Sequence, residues 1–305
     1  MTAAFRQIWL FIRLTRPIFL VGGALLYALG AAIAHYLGRT IDPRSYLLGQ
    51  GLVLCIQLMA QYLNEYFDFA GDQANQNRTA LSGGSGVLGS EGLRPQVALY
   101  AAIIVLALAA SLATVLLTTT GSSPASWLIL GMGFMGAFAY SAPPLRLVSS
   151  GYGELMVSVL VAALVPSFGY ALQSESLHLM LALASFPLVA LHMAMLIALE
   201  LPDYTADLKS GKNTLLVRVG WPMAMRIHNG AIILAAVSVI SATLIGLPIR
   251  IAISMAIALP LAGAQIWHMW RIRRGLTPLW RTLTLGAVAL FVLAAYFELI
   301  GFLLA

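Results

Sequence analysis

Asn64-Glu65-Tyr66-Phe67-Asp68-Phe69-Ala70-Gly71-Asp72 and Glu200-Leu201-Pro202-Asp203-Tyr204-Thr205-Ala206-Asp207 each follow an uncharged run long enough to cross a bilayer. Together they hold six of the chain's 11 carboxylates. In both stretches two aspartates lie four residues apart, a spacing that a helix turns onto one face. Asn64, Asp68 and Asp72 therefore form one column, and Asp203 and Asp207 a second wherever helix persists. Around these clusters the chain is apolar: 60% of its residues are hydrophobic and 9% charged, against about 45–50% and 25% in a soluble domain. A soluble fold of this size has no interior large enough to hide that surface.

Working outward, nine membrane spans are expected: 17–38, 46–69, 96–117, 127–141, 155–173, 177–199, 223–245, 249–270 and 283–304. The expected fold is an all-α integral-membrane bundle forming a single domain over residues 1–305. Residues 1–16 carry Arg6, Arg13 and Arg16 around a short apolar patch without a small-residue cleavage site, which predicts an interfacial helix rather than a secretion signal. Cys55, the single cysteine, falls within the second span and reads as a small buried hydrophobe. Trp9, Trp127, Trp267, Trp270 and Trp280 fall near span ends, where indole rings anchor at the headgroup level.

Nine spans sort the 17 Lys and Arg unequally: 14 on the amino-terminal side, and only Arg39, Arg44 and Arg250 on the other. The positive-inside bias puts the amino terminus in the cytoplasm and the carboxyl terminus outside, in a bacterial inner membrane. Both acid clusters then open on the cytoplasmic side. A solvated helix end would explain one such stretch, but two matching stretches call for a common task, because carboxylates near a membrane are costly. Crowded carboxylates repel unless a cation intervenes, and hard oxygen ligands suit magnesium completed by substrate phosphates. Basic residues follow each cluster, Arg78 after the first and Lys209 and Lys212 after the second, where they could hold phosphate oxygens. Ser82-Gly83-Gly84-Ser85-Gly86 could offer backbone donors, although such a loop is more often a plain connection.

Asp68 and Asp203 are 135 residues apart, as are Asp72 and Asp207. With four spans between them, this spacing implies two parallel four-helix repeats plus one further helix, with both clusters facing one ligand. Inverted repeats would put equivalent positions on opposite sides, and a cation-coupled transporter would hold its acids at mid-membrane depth, so the arrangement speaks against that rival. A CDP-alcohol phosphotransferase would carry its acids in one D-G-containing motif with an Ala-Arg pair, which is absent here. A scaffold would leave both aspartate clusters without a purpose.

The N-x-x-x-D-x-x-x-D stretch at Asn64, Asp68 and Asp72 and the D-x-x-x-D stretch at Asp203 and Asp207 resemble those of the UbiA superfamily of membrane prenyltransferases. Thr15-Arg16-Pro17, Tyr140-Ser141-Ala142-Pro143-Pro144-Leu145-Arg146 and Gly211-Lys212-Asn213-Thr214-Leu215 extend the resemblance over nearly the whole chain. It implies a central cavity under a cytoplasmic cap, an isoprenoid diphosphate donor, Mg2+ and an aromatic acceptor. By position it assigns Asp68, Asp72, Asp203 and Asp207 to metal and catalysis, and Asn64 to metal or diphosphate. Arg78, Lys212, Lys209 and Arg146 are assigned to diphosphate, and Arg16 and Tyr140 are further substrate-binding candidates. Asn-Glu-Tyr-Phe-Asp followed by Ser-Gly-Gly-Ser-Gly-Val-Leu looks most like the 1,4-dihydroxy-2-naphthoate prenyltransferases of menaquinone synthesis, except that Glu200 stands where those enzymes usually have Asn. Related acceptors are 4-hydroxybenzoate, homogentisate, haem and chlorophyllide. His192, eleven residues before Asp203, shares that helix face but is expected to be satisfied by a neighbouring helix.

Overall fold

A computed structural model describes residues 3–90 and 92–305, so the first two residues of the expected interfacial segment lie outside the described residues. Four helices begin on a proline: α2 (Pro17–Tyr36), α3 (Pro43–Gln73), α4 (Pro95–Thr119) and α5 (Pro124–Ser141). Proline there gives up an N–H that would have no intrahelical partner anyway. Asp42 caps α3, its carboxylate accepting from the Ser45 N–H at 2.9 Å. α1 (Ala3–Leu14) precedes them, with Leu14 buried against the cluster around Tyr62 and Leu63 and with Ile8, Trp9 and Ile12 outward.

The second half is more broken. α6 (Gly153–Val159) runs through a π turn, Leu160–Leu164, into α7 (Val165–Ala171). Pro166 cannot donate to the carbonyl four residues back, and the Val165 N–H bonds Leu160, five back, instead. α8 (Leu179–Glu200) passes through one 3-10 turn, Leu201–Asp203, before α9 (Tyr204–Ser210), and Pro202 marks that change. α10 (Leu215–Ile245) bends at Gly220, just ahead of Pro222. α11 (Ile249–Ala256), α12 (Leu259–Arg273) and α13 (Trp280–Leu303) complete the chain.

Seven stretches are long and apolar enough to cross a membrane, and α11 with α12, bent by 47°, makes an eighth if counted as one span. Of the nine expected positions, the fourth is filled by α5, whose 18 residues include Gly131, Gly133, Gly136 and Tyr140 and which falls outside that set. The eighth position breaks where Pro260 interrupts the helical ladder. Large apolar residues such as Ile104, Ile240 and Leu244 point outward, as an integral membrane protein requires of its lipid face.

Some helix starts follow the spacing of the aspartates, although Pro95 of α4 and Leu215 of α10 are 120 residues apart. Pro17 and Gly153 are 136 residues apart, Pro43 and Leu179 also 136, and Pro124 and Leu259 135. Small residues allow close packing between the halves: a Cβ on Gly30 of α2 would lie 1.9 Å from the Pro166 carbonyl oxygen, and one on Gly169 would lie 2.3 Å from that of Tyr27. Between the halves an internal cavity of about 340 Å³ runs from apolar walls, including Phe168, Leu196 and Phe291, up to the helix ends that bear the acids.

Candidate active site

At about 1.5 Å per residue, the 31 residues of α3 exceed what a bilayer needs, so the acid end stands at or beyond the hydrocarbon edge. Asp68 and Asp72 share that end, and the loop between residues 74 and 94 folds back over it. Gly83 and Gly84 take φ of 74° and 70°, a region open to glycine at little cost. That turn brings the backbone against the acids. The Gly83 N–H donates to Asp203 Oδ2 at 2.9 Å, and a Cβ on Gly84 would lie 2.2 Å from Asp72 Oδ2.

The two clusters are cross-braced. Asn75, just past α3, donates from Nδ2 to Asp203 Oδ1 at 2.7 Å. Lys212, just past α9, reaches back across the cavity to Asp68 Oδ2 at 2.8 Å. Asp68 also receives Arg146 on Oδ1 at 2.7 Å and the Asn64 amide on Oδ2 at 3.1 Å. Burial works against the Lys212 charge, but Asp68, Asp207 and Tyr140 around it hold its pKa above the ordinary lysine range. The ammonium is therefore a permanent cation at the cavity mouth.

Asn64, Asp68, Asp72, Asp203, Asp207, Lys212, Arg16 and Tyr140 all line the cavity. Arg16 and Arg146 are the non-glycine residues of positive φ among the described residues, at 44° and 38°. Such backbone strain collects at functional sites. Arg16 uses it to donate to the Leu81 carbonyl at 2.7 Å and to approach Glu65 at 3.8 Å. Arg78 sits differently: it donates to the Asp72 backbone carbonyl and packs under Gly83 and Gly86, where it supports the loop instead of lining the cavity. Lys209 is exposed on α9, outside the cavity wall. His192 bonds Ser158 through Nδ1 at 3.0 Å, rests edge-on against Phe291 and also lines the cavity.

Sequence reasoning passed over several residues. Asn75 carries no motif, and its partner lies 128 positions away. The Ser/Gly loop, expected to offer backbone donors to a phosphate or else to be a plain connection, instead gives the Gly83 N–H to Asp203 and crowds Asp72. Gln57 and Gln61 line the cavity below Asn64, each with an Oε1 that meets no donor among the described residues. Their spacing of four and then three to Asn64 is the helical signal that could have found them.

A divalent cation can be weighed against these donors. Among the described residues no three acids, histidines or cysteines converge to hold a cation unaided. Among the described residues the Asp72 and Asp207 carboxylates accept no hydrogen bond, and both line the cavity. Hard oxygens in two separated pairs suit a magnesium ion that completes its shell with phosphate oxygens and water.

A cross-braced pair of aspartate clusters with a cation at the mouth of an apolar cavity marks a membrane protein whose cavity suits an anionic headgroup above an apolar chain. The chain belongs to the UbiA prenyltransferase family, whose model matches residues 24–279. It is 26% identical over 229 residues to the 1,4-dihydroxy-2-naphthoate octaprenyltransferase of Bacillus subtilis (strain 168), covering 74% of this chain and 68% of that one. Its fold matches a UbiA homologue of Archaeoglobus fulgidus solved with GPP and Mg2+, with a TM-score of 0.65 and 18% identity over 97% of this chain and 100% of that one. A UbiA homologue from Aeropyrum pernix K1 matches with a TM-score of 0.62 and 13% identity over 94% and 97%.

Proposed function

We propose that this protein transfers a polyprenyl group from an isoprenoid diphosphate to 1,4-dihydroxy-2-naphthoate, in menaquinone synthesis, with Mg2+. The observation that carries the reading is the cross-bracing of Asp68 by Lys212 and of Asp203 by Asn75 and Gly83 over one apolar cavity. The diphosphate lies between the clusters and the prenyl tail runs down among Phe168, Leu196 and Phe291. Asp72 and Asp207 hold magnesium, backed by Asp68, Asp203 and Asn64. When bound, the metal neutralises the diphosphate and eases its departure.

The chain's own groups do the rest. Lys212 and Arg16 face the departing diphosphate and stabilise the charge that grows on it. Arg146 holds Asp68 in place from outside the cavity wall, and Arg78 holds the loop. The 74–94 loop and the 211–214 linker cap the cavity and keep water from the allylic cation. Read with nine membrane segments, counting α5 and the bent α11–α12 pair, the excess of Lys and Arg on the amino-terminal side favours this cap and the amino terminus lying in the cytoplasm, in a bacterial inner membrane. The likeness to the Bacillus subtilis enzyme supports the naphthoate, and 4-hydroxybenzoate, homogentisate, haem and chlorophyllide are the competing acceptors.

The test is transfer by the purified protein in nanodiscs, with geranylgeranyl and longer diphosphates, Mg2+ and that acceptor panel, read by product mass. Magnesium-dependent prenylation of the naphthoate alone is expected. Product with another acceptor would reassign the pathway. No product from folded protein that binds no prenyl diphosphate would favour a cation-coupled transporter.

A further inference from the structure

Glu200, the residue that departs from the naphthoate pattern, ends α8 and lines the cavity. It precedes Asp203 by three residues, so it sits about 5 Å further into the cavity than the metal cluster. On the prenyl-transfer reading, that depth would lie below the diphosphate, where the first carbons of the prenyl chain and the acceptor ring would meet.

Its repeat mate shows what is unusual about it. Glu65 lies 135 residues earlier, three before Asp68, and both its oxygens are satisfied. Ser85 donates from N–H to Oε1 at 2.7 Å and from Oγ to Oε2 at 2.6 Å, and Arg16 stands at 3.8 Å. Glu200 has no such clamp. Its partner among the described residues is the Glu154 carboxyl, with which it shares a hydrogen bond, and its buried Oε2 meets no N–H or hydroxyl donor. Glu154 lies against it from behind the cavity wall, 3% exposed, with Oε1 taking the Leu215 N–H at 2.7 Å and Oε2 likewise without a donor. The nearby cation, Lys212, is bonded to Asp68. One proton between two buried carboxyls leaves their remaining lone pairs without a donor, an arrangement that is costly to keep.

We propose that Glu200, oriented by Glu154, accepts a hydrogen bond from a ring hydroxyl of the aromatic acceptor and so selects hydroxylated rings. This rests on the prenyl-transfer reading above. The ligand has to bring a donor, which a ring hydroxyl does and a diphosphate does not. A bare cation is the poorer match, since no three acids converge there.

The experiment measures the acceptor KM, the donor KM and the Mg2+ half-saturation separately for wild type, Glu200→Met and Glu200→Gln in nanodiscs. Each is also given the acceptor with its hydroxyl methylated. Glu200→Met is expected to raise the acceptor KM about tenfold or more, with donor KM and Mg2+ response unchanged. It should also lose the wild-type preference for hydroxyl over methoxy, a readout that a packing defect would not move. Glu200→Gln, whose amide oxygen still accepts, should fall between, and it decides the question if the Met variant does not fold. An acceptor KM that stays put, or one that rises together with donor KM or Mg2+ requirement, overturns the assignment. Wild type that prenylates no hydroxylated ring at all would instead remove the functional reading, and this inference with it.

Discussion

The two acid clusters share a motif and a helix end but differ in how their charge is compensated. Asp68 is bonded to two cations, Arg146 and Lys212, and Glu65 beside it is clamped by Ser85. Asp203 meets neutral donors, the Asn75 amide, the Gly83 N–H and the Ser82 side chain, and Glu200 beside it is paired with the Glu154 carboxyl. Asp68 and Glu65 in the first cluster are thus tied into the fold, whereas Asp203 and Glu200 have no bonded cation of their own and leave that place to something that binds. The difference comes from the linkers. Between α3 and α4 the chain has room to fold back over its own acids, while only residues 211 to 214 separate α9 from α10. That short linker can send Lys212 across the cavity but has no length to return to Glu200.

The largest effect should come where the two clusters act alike. Asp72→Asn and Asp207→Asn each remove an unpaired carboxylate that faces the cavity, and each is expected to lower transfer by about a hundredfold or more. Thermal unfolding should hardly move, because neither side chain carries a hydrogen bond among the described residues. A large loss of stability in either variant would show that these carboxylates are structural and would erase the distinction from Asp68.

Next in size is the contrast between the repeat-related glutamates. Glu65→Gln weakens two charge-assisted bonds to Ser85 and the approach of Arg16, and should cost about 1–3 kcal/mol in chemical denaturation. Glu200→Gln has an amide that can still donate to the Glu154 carboxylate and should stay within about 0.5 kcal/mol of wild type. Equal losses would mean that Glu200 is as much a part of the fold as its mate.

How far the sequence carries such distinctions depends on their range. The Asn64, Asp68 and Asp72 column was legible because α3 is one regular helix, in which spacing alone sets the face. The second column was conditional, and Pro202 is the reason: the chain tightens to a 3-10 turn there before helix resumes at Tyr204. Arg78 follows the acids as Lys212 does, and only the path of the loop decides that one props Gly86 while the other faces the ligand. The pairing of Asn75 with Asp203 spans the whole molecule and leaves no local pattern to read. Nor does the unequal fate of Glu65 and Glu200, which share a register but not a linker.

The loop itself offers a smaller test. Gly84→Ala places a Cβ 2.2 Å from Asp72 Oδ2 at a φ of 70°, a conformation that costs about 1–3 kcal/mol in a non-glycine residue. Because the strain falls on the first cluster's lid, the donor KM should rise about fivefold or more while the acceptor KM holds. A rise in acceptor KM instead would place the loop over the acceptor rather than the diphosphate.

The smallest effect probes the neutral side of the contrast. Asn75→Ala deletes one of the bonds that hold Asp203 and should cost about 1 kcal/mol of stability, since Gly83 still donates to the other carboxylate oxygen. If the bond exists as drawn, Asn75→Ala combined with Asp203→Ala should cost no more than Asp203→Ala alone, because the second change has nothing left to break. Simple additivity in that cycle would mean that Asn75 does not brace the second cluster, and Asp203 would then rest on the Gly83 and Ser82 donors alone. The same cycle run on Lys212 and Asp68 should show the larger coupling, because both partners there are charged and only one of the two cations is removed. A neutral brace that couples as strongly as the charged one would remove the asymmetry between the two halves.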